Sequence, residues 1–279
     1  MLDFHTKYRP LTSRPFLSNH TYAEYPPCQA LKPYISCYWT TSEPENIPGS
    51  GECGGVLVIP DTCVDLMITV NHTRQKITGR WCGMQDHSYV TESRPVTGEQ
   101  ISGFAVRFHF WAVHLFLNLN FRELYNQVLD AEMVQREWLT VFEPFFYVLD
   151  VKERIQLVEK FLADKLAEAR VDHNLFNSFQ QILSSSGTAT VREICSYSCI
   201  SQRQLERQFL QQVGLSIKRT SNLVRYQNVW REVAGSEQFG IQDAVYRYRY
   251  ADQSHLLKEF KRFHGVTPEQ AKQIALSNR

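Results

Sequence analysis

The spacing of apolar residues changes character along this chain. In the N-terminal half it follows a period of two. Gln100–Phe110 shows this most clearly, with Ile101, Gly103, Ala105 and Arg107 on one side and Phe104, Val106, Phe108 and Phe110 on the other. Ile35–Thr41 is aromatic and β-branched, and Gln75–Trp81 is a further strand. Val56–Ile59 and Val64–Val70 flank the turn sequence Pro60-Asp61-Thr62 and read as a hairpin. The pattern predicts a mainly β sheet or small barrel over residues 35–110. Ahead of it, residues 1–35 carry Pro10, Pro15, Pro26, Pro27 and Pro33 and read as an irregular arm. After it, Trp111–Leu117 reads as an apolar helix and Phe121–Gln135 as a short helix with loops. Asp150–Arg170 is amphipathic, with Ile155, Val158, Phe161, Leu162 and Leu166 in one stripe and Lys152, Glu153, Glu159, Lys160 and Asp164 outward. This helix serves dimerisation or packs within its own domain.

From residue 173 the period is helical throughout. Leu175–Leu183 is a first helix and Ser184–Thr188 a loop. Val191–Tyr197 is a second helix, broken at Ser198–Ile200. Ser201 is an N-cap for a third, which runs to Val213 and stops at Gly214. On this last helix Leu205, Phe209 and Val213 share one face, while Arg203, Glu206 and Arg207 share another. Two short helices joined by a tight break, with guanidinium groups on the second, match a helix-turn-helix in a major groove. A helical hairpin with a solvated charged face fits the same stretch. A repeat adds weight to the first reading. Leu205, Arg207, Phe209, Gly214, Leu215 and Ser216 recur 51 residues later as Leu256, Lys258, Phe260, Gly265, Val266 and Thr267, and Ser201 maps onto Asp252. Ile217–Ala234 is a long helix between the copies, followed by a loop at Gly235–Gly240. Ile241–Tyr248 and Asp252–Phe263 form the second motif, and Pro268 opens a terminal helix.

Over about Phe176 to Ala275 the sequence resembles the AraC/XylS-type bacterial transcription regulators. The string AVYRYRYADQSHLLKEFKRFHGVTP carries most of that resemblance. The chain departs from the family pattern twice: Arg249 stands where glycine is usual in the second turn, and Ile217 where proline usually follows the first motif. The resemblance implies that Arg203, Glu206 and Arg207 read bases from the first recognition helix, with Gln202 near phosphate. It implies the same for Gln253, Ser254 and Lys258 on the second, with His255 and Lys261 at the backbone. Arg203 and Arg207 favour guanine, Glu206 accepts from cytosine, and Leu257 either touches a thymine methyl or packs in the core. It assigns Ile217–Ala234 to joining the two halves. VIPDTCVDLMI, Gly79 and ISGFAVRF resemble the β-rich N-terminal domain of some of these regulators, although His109-Phe110-Trp111 stands where a Pro-Gly is common. That domain is implied to sense an effector or to dimerise.

Composition refines this picture. A chain of 279 residues accommodates two domains. The net charge of +1 hides an asymmetry: residues 173–279 hold 14 Lys and Arg against 8 Asp and Glu, and residues 1–172 hold 16 against 21. A basic module favours polyphosphate partners. No apolar run is long enough to span a membrane, and the N-terminus lacks a secretory apolar region, so no membrane is expected and the cytoplasm is. Cys28, Cys37, Cys53, Cys63, Cys82, Cys195 and Cys199 form no CxxC pair, and neither a disulfide framework nor a zinc site with His72, His87 or His109 is expected. No catalytic motif or paired carboxylate stands out. Tyr246, Tyr248 and Tyr250, interleaved with Arg247 and Arg249, fit single-strand stacking less well than packing, with Val245 and Tyr248 inward and Tyr250 closing the turn. Tyr38, Trp39, Trp81 and Trp111 either line an effector pocket or are plain core.

The expectation is an α+β chain. Residues 1–140 form a β-rich, sensor-like effector or dimerisation domain, 141–172 a helical linker, and 173–279 an all-α DNA-binding domain with two helix-turn-helix motifs. Its expected function is that of a DNA-binding transcription regulator, not an enzyme, with no cofactor or metal. It reads promoter DNA through recognition helices in adjacent major-groove segments, controlled by a signal at the N-terminal domain. Expected partners are double-stranded promoter DNA and RNA polymerase, with a small-molecule effector and a homodimer left open. The alternative is a DNA-tethered thiol- or metal-responsive sensor, or an alkyl-transfer enzyme, using the N-terminal cysteines. In a third reading the N-terminal domain only dimerises.

Overall fold

The computed structural model describes residues 3–16, 22–42, 56–91 and 98–276. In chain order these form α1 (Phe4–Lys7), β1 (Tyr22–Tyr25), β2 (Ile35–Ser42), β3 (Val56–Val58), β4 (Cys63–Asn71), β5 (Lys76–Cys82), β6 (Tyr89–Thr91), β7 (Ile101–His109) and β8 (Val128–Asp130). Then come α2 (Ala131–Val134), α3 (Glu137–Thr140), α4 (Val151–Glu168), α5 (His173–Ser184), α6 (Val191–Tyr197) and α7 (Gln202–Gln212). The last are α8 (Ile217–Gly235), α9 (Ile241–Arg247), α10 (Gln253–His264) and α11 (Pro268–Leu276).

An antiparallel sheet of order β1-β2-β7-β4-β5-β8 dominates the N-terminal part, with the strongly alternating β7 near its centre. Alternation gives the sheet two unlike faces. Tyr38, Leu66, Ile68, Trp81, Phe104, Val106 and Phe108 lie on the buried one. There Trp81 meets Trp138 edge-on at 5.1 Å, and Phe104 meets Phe145 likewise at 5.1 Å. The opposite face carries a polar row across four strands, Cys37–Arg107–Asp65–Cys82. Arg107 donates to both oxygens of Asp65 at 2.9 Å and lies 3.5 Å from Asp61.

The expected hairpin of Val56–Ile59 with Val64–Val70 does not form. β3 pairs with β6 in a separate two-stranded sheet, while β4 pairs with β5 and β7. Pro60-Asp61-Thr62 is a turn, with Thr62 at a φ of 57°, but it passes the chain from one sheet to the other. Asp61 is held there by the Cys63 N–H at 3.1 Å as well as by Arg107. The partner of β4 across a tight turn is β5, with Gln75 at a φ of 51°.

Two expected helices are also different. Trp111–Leu117 contains only a short 3-10 turn, Val113–Leu115, without a side-chain cap. Its residues are buried on nearly every side, so helical periodicity has nothing to organise. Within Phe121–Gln135 the expected short helix is α2, among loops, but Val128–Asp130 ahead of it is a strand that completes the open edge of β5, pairing Trp81 with Leu129. Such pairing depends on a distant partner and overrides local propensity.

α4 matches its amphipathic pattern. The Asp150 carboxylate caps it by accepting from the Lys152 and Glu153 N–H groups, and Ile155, Val158 and Leu162 are buried. The helix packs on its own sheet domain: Trp138 meets Phe161 at 4.9 Å, and Lys165 donates to Glu137 at 2.7 Å. Arg154 is 4% exposed, and its guanidinium donates to the Val148 and Phe145 carbonyls while lying over the Phe145 ring.

The seven remaining helices, α5 to α11, are organised on α8. Leu223, Val224, Tyr226, Val229, Trp230 and Val233 of α8 are all nearly inaccessible, so this connector is a core helix. Aromatic rings of α5 join the helical part to the β-rich part. Phe4 stacks on Phe176 at 6.3 Å, and Phe110 meets Phe179 at 5.5 Å.

Candidate nucleic-acid interface

Each motif is two helices closed by one backbone device. Thr190 caps α6 in a reciprocal capping box with Glu193, Ser201 caps α7, and the Asp252 carboxylate caps α10 by accepting the His255 N–H at 2.7 Å. Between the helices the chain turns through one residue in the left-handed region. This is Cys199 at a φ of 54° in the first motif and Arg249 at 52° in the second. The hydrogen bonds around them correspond, Ile200 N–H to Cys195 O at 3.3 Å and Tyr250 N–H to Val245 O at 3.0 Å. Arg249 therefore takes the glycine-like conformation despite its side chain, at a cost of about 1 kcal/mol. The repeat is not of constant offset. α9 follows α6 by 50 residues and α10 follows α7 by 51, because the second turn holds one residue more.

α8 holds both motifs. Arg225 donates through Nε and Nη2 to Glu259 of α10, at 2.7–3.1 Å, and lies 4.2 Å from the centre of the Tyr250 ring. Tyr250, buried in the second turn, donates its hydroxyl to the same carboxylate at 2.8 Å. Glu232 accepts from Tyr248 at 2.7 Å and from Arg247, tying α9 to α8. In the first motif Glu206 accepts the Ile217 N–H at 3.3 Å, which caps the start of α8.

Gln202, Arg203 and Arg207 are exposed on α7, and Gln253, Ser254, Lys258 and Lys261 are exposed on α10. Leu205 and Phe209 on α7, with Leu256 and Phe260 on α10, are buried behind them. Glu206 is half-buried and already spends one oxygen on α8. Leu257 is half-buried too. His255 is exposed and accepts from the Ala251 N–H at 3.4 Å, beside Tyr250. Gln242 of α9, which sequence reasoning passed over, donates to Gln253 at 3.2 Å.

The C-terminal ends of both recognition helices rest on the β-rich part. Gly214, which ends the first at a φ of 85°, lies so close to Phe121 that a Cβ would sit 2.5 Å from its carbonyl oxygen. The Phe121 N–H donates to Gln211 O at 2.9 Å, and Arg219 donates to the Tyr125 hydroxyl at 3.0 Å. At the end of the second, Gly265 meets Ser88, and Arg262 pairs with Asp86 at 3.6 Å.

The N-terminal arm is a second bridge. Leu11 donates its N–H to Gln227 of α8 at 2.8 Å and accepts from it at 3.1 Å, while Gln227 also donates to Pro60 O at 2.6 Å. Trp230 donates to Thr12 O at 3.0 Å. The same arm walls a pocket of about 50 Å³, with Glu24, Cys37, Asp61 and Arg107 on its sheet side. None of Tyr38, Trp39, Trp81 and Trp111 lines it; Tyr38, Trp81 and Trp111 are core and Trp39 is half-buried. Burial pushes the Cys37 and Cys82 thiols up to about 12 and raises Cys63 as well. That is the reverse of what a nucleophilic thiolate requires. Cys28 is exposed, and Cys53 lies outside the described residues. Among the described residues no group of three or more His, Cys, Asp or Glu is placed to hold a metal ion, and no helix is long and apolar enough to cross a membrane.

The family model described as a helix-turn-helix domain matches residues 194–274, from within α6 to within α11. Residues 194–274 are thus a helix-turn-helix domain of the AraC type. A second model, described as a domain of unknown function (DUF6597), matches residues 23–130. No curated protein matches the chain. Among solved structures it is similar to ToxT from Vibrio cholerae. An apo variant of ToxT is 12% identical with a TM-score of 0.41, covering 85% of this chain and 97% of that one. ToxT with a bound unsaturated fatty acid is 13% identical with a TM-score of 0.40, covering 94% and 98%.

Proposed function

We propose that this chain is a transcription regulator that reads promoter DNA with α7 and α10 in two adjacent major-groove segments, under control of a signal received by its N-terminal domain. One observation carries the reading. Two copies of the same motif present exposed polar side chains from their recognition helices, and one buried helix, α8, is bonded to both. Arg203 and Arg207 supply forked donors for guanine, while Gln253, Ser254 and Lys258 supply the second segment. Gln202, His255 and Lys261 serve the phosphates, which supply affinity without naming a sequence. Glu206 contributes chiefly by holding α8, since its carboxylate faces the Ile217 N–H. RNA polymerase is the partner that a bound regulator implies.

The arm supports the regulatory half of the proposal. It forms one wall of the sheet-side pocket and is hydrogen-bonded to α8 through Gln227. A small polar effector entering the pocket displaces the arm and so acts on the helix that both motifs share. The test is a selection of bound duplexes from a random pool by the full chain, followed by affinity measurements on the selected duplex. Arg207→Ala is expected to cost about 1–3 kcal/mol on that duplex and to relax preference at one base pair. An unchanged ratio of specific to random binding refutes the role.

A further inference from the structure

We propose that Gln242, on the first helix of the second motif, is a positioning residue that fixes the Gln253 amide for an adenine. The inference rests on the base-reading role of α10 proposed above. Gln253 is the first residue of that helix and Gln242 the second residue of α9; both are exposed. Gln242 donates from Nε2 to Gln253 Oε1 at 3.2 Å.

A glutamine pairs with adenine through both ends of its amide, Oε1 accepting from N6 and Nε2 donating to N7. A free glutamine amide can turn over and present these groups in the reverse order. Gln242 carries the same kind of amide, and with its second Nε2 hydrogen on a phosphate oxygen it keeps its donor end towards Oε1; a donor so held removes that freedom. It uses one lone pair of the oxygen and leaves the other lone pair, and both Nε2 hydrogens, for the base. The second Nε2 hydrogen of Gln242 remains for a phosphate oxygen, as expected where the first helix of such a motif crosses the backbone.

The first motif places related residue types at the corresponding positions. Position 192, which lies 50 residues before Gln242 at the same place in α6, is Arg192, and Gln202 opens α7 as Gln253 opens α10. Arg192 and Gln202 are both exposed. Each motif thus carries a side chain able to donate on its first helix and a glutamine at the start of its second.

The experiment uses the full chain and the duplex obtained by selection. Affinity is measured for that duplex and for its variants at the base pair where Gln253→Ala relaxes the preference. Gln253→Ala is expected to lower the preference for adenine there by roughly tenfold or more. Gln242→Ala should lower it by about threefold at the same base pair, because the amide is no longer held. Gln242→Glu should lower it further, since a carboxylate accepts only and turns the Gln253 amide the wrong way. Gln242→Lys restores a donor and should keep the preference. Gln242→Ala should leave the salt dependence of binding unchanged, because a neutral amide on a phosphate releases no counterion. If Gln253→Ala relaxes the preference but Ala, Glu and Lys at position 242 all leave it unchanged, the positioning role is overturned. If Gln253→Ala itself changes no preference, the base-reading role fails first. Unchanged melting of each variant shows that any loss is not one of folding.

Discussion

Glu259 offers a direct test of how the second motif is held. Glu259→Ala removes the acceptor of three short Arg225 hydrogen bonds and of the Tyr250 hydroxyl. The Arg225 and Glu259 side chains are only 8% and 11% exposed, so the stranded guanidinium finds little water. Breaking a buried ion pair from one side costs about 3–5 kcal/mol, against about 0–1 kcal/mol for an exposed pair. The residual exposure, and the Tyr250 ring stacked under Arg225 at 4.2 Å, place the expected loss near the lower end, about 3 kcal/mol. Arg225→Met together with Glu259→Leu removes both charges and should lie only about 1 kcal/mol below the natural protein, the remaining loss reflecting the unpaired Tyr250 hydroxyl. Urea unfolding followed by tryptophan fluorescence suits the assay, because Trp230 lies 6.2 Å from Phe260 on the same helix as Glu259. The account is refuted if Glu259→Ala costs under 0.5 kcal/mol, or if the two single losses simply add in the double variant.

Other predictions concern the junctions. Gly214→Ala combines a φ of 85° with a Cβ 2.5 Å from Phe121 O and should cost at least about 2 kcal/mol, whereas Gly235→Ala meets nothing within 4 Å and should be neutral or stabilising by up to about 1 kcal/mol; melting curves distinguish them. Gln227→Leu removes the hydrogen bonds from α8 to Leu11 of the arm and to Pro60, a loss of about 2–3 kcal/mol, and tryptic cleavage after Lys7 should quicken about tenfold or more; an unchanged rate contradicts the anchoring of the arm by Gln227. Burial lowers the imidazole pKa values of His109 and His264 to about 3 and of His114 to about 4, from 6.5. These rings are neutral when folded and take up protons on unfolding, so their contribution is complete above pH 6.5 and is lost as pH falls towards 4. Stability should drop by up to about 1.4 kcal/mol per pH unit per histidine, less steeply in His264→Phe, and a flat profile between pH 6 and 4 contradicts this.

The chain shows its helical half openly and its β half only in part. α4 to α11 are readable because most carry an apolar stripe and most carry a cap: Asp150, Asp172, Ser201 and Asp252 all accept from their own helix. β7 is readable because its alternation separates Phe104 and Val106 from Ala105 and Arg107. β8 is hidden because Leu129 becomes a strand residue only by pairing with Trp81. The turn at Pro60-Asp61-Thr62 is visible, but where it sends the chain depends on Arg107, remote in sequence. The exposed residues of α7 and α10 follow from the motif, whereas the capping role of Glu206 and the contact between Gln242 and Gln253 require three dimensions. The docking of Gly214 on Phe121 could not be inferred, since a helix-ending glycine explains itself locally.

The central claim is that one chain sets two recognition helices, rigidly joined by α8, against two consecutive turns of one duplex face. The most direct measurement is the affinity of the full chain for its selected duplex after five base pairs are inserted between the two contacted segments. The insertion carries the second segment about half a turn around the helix axis. The account predicts that binding falls to the level of either segment alone, a loss of about 100-fold, and that inserting ten base pairs does not restore it because α8 does not stretch. Affinity indifferent to the insertion would contradict it.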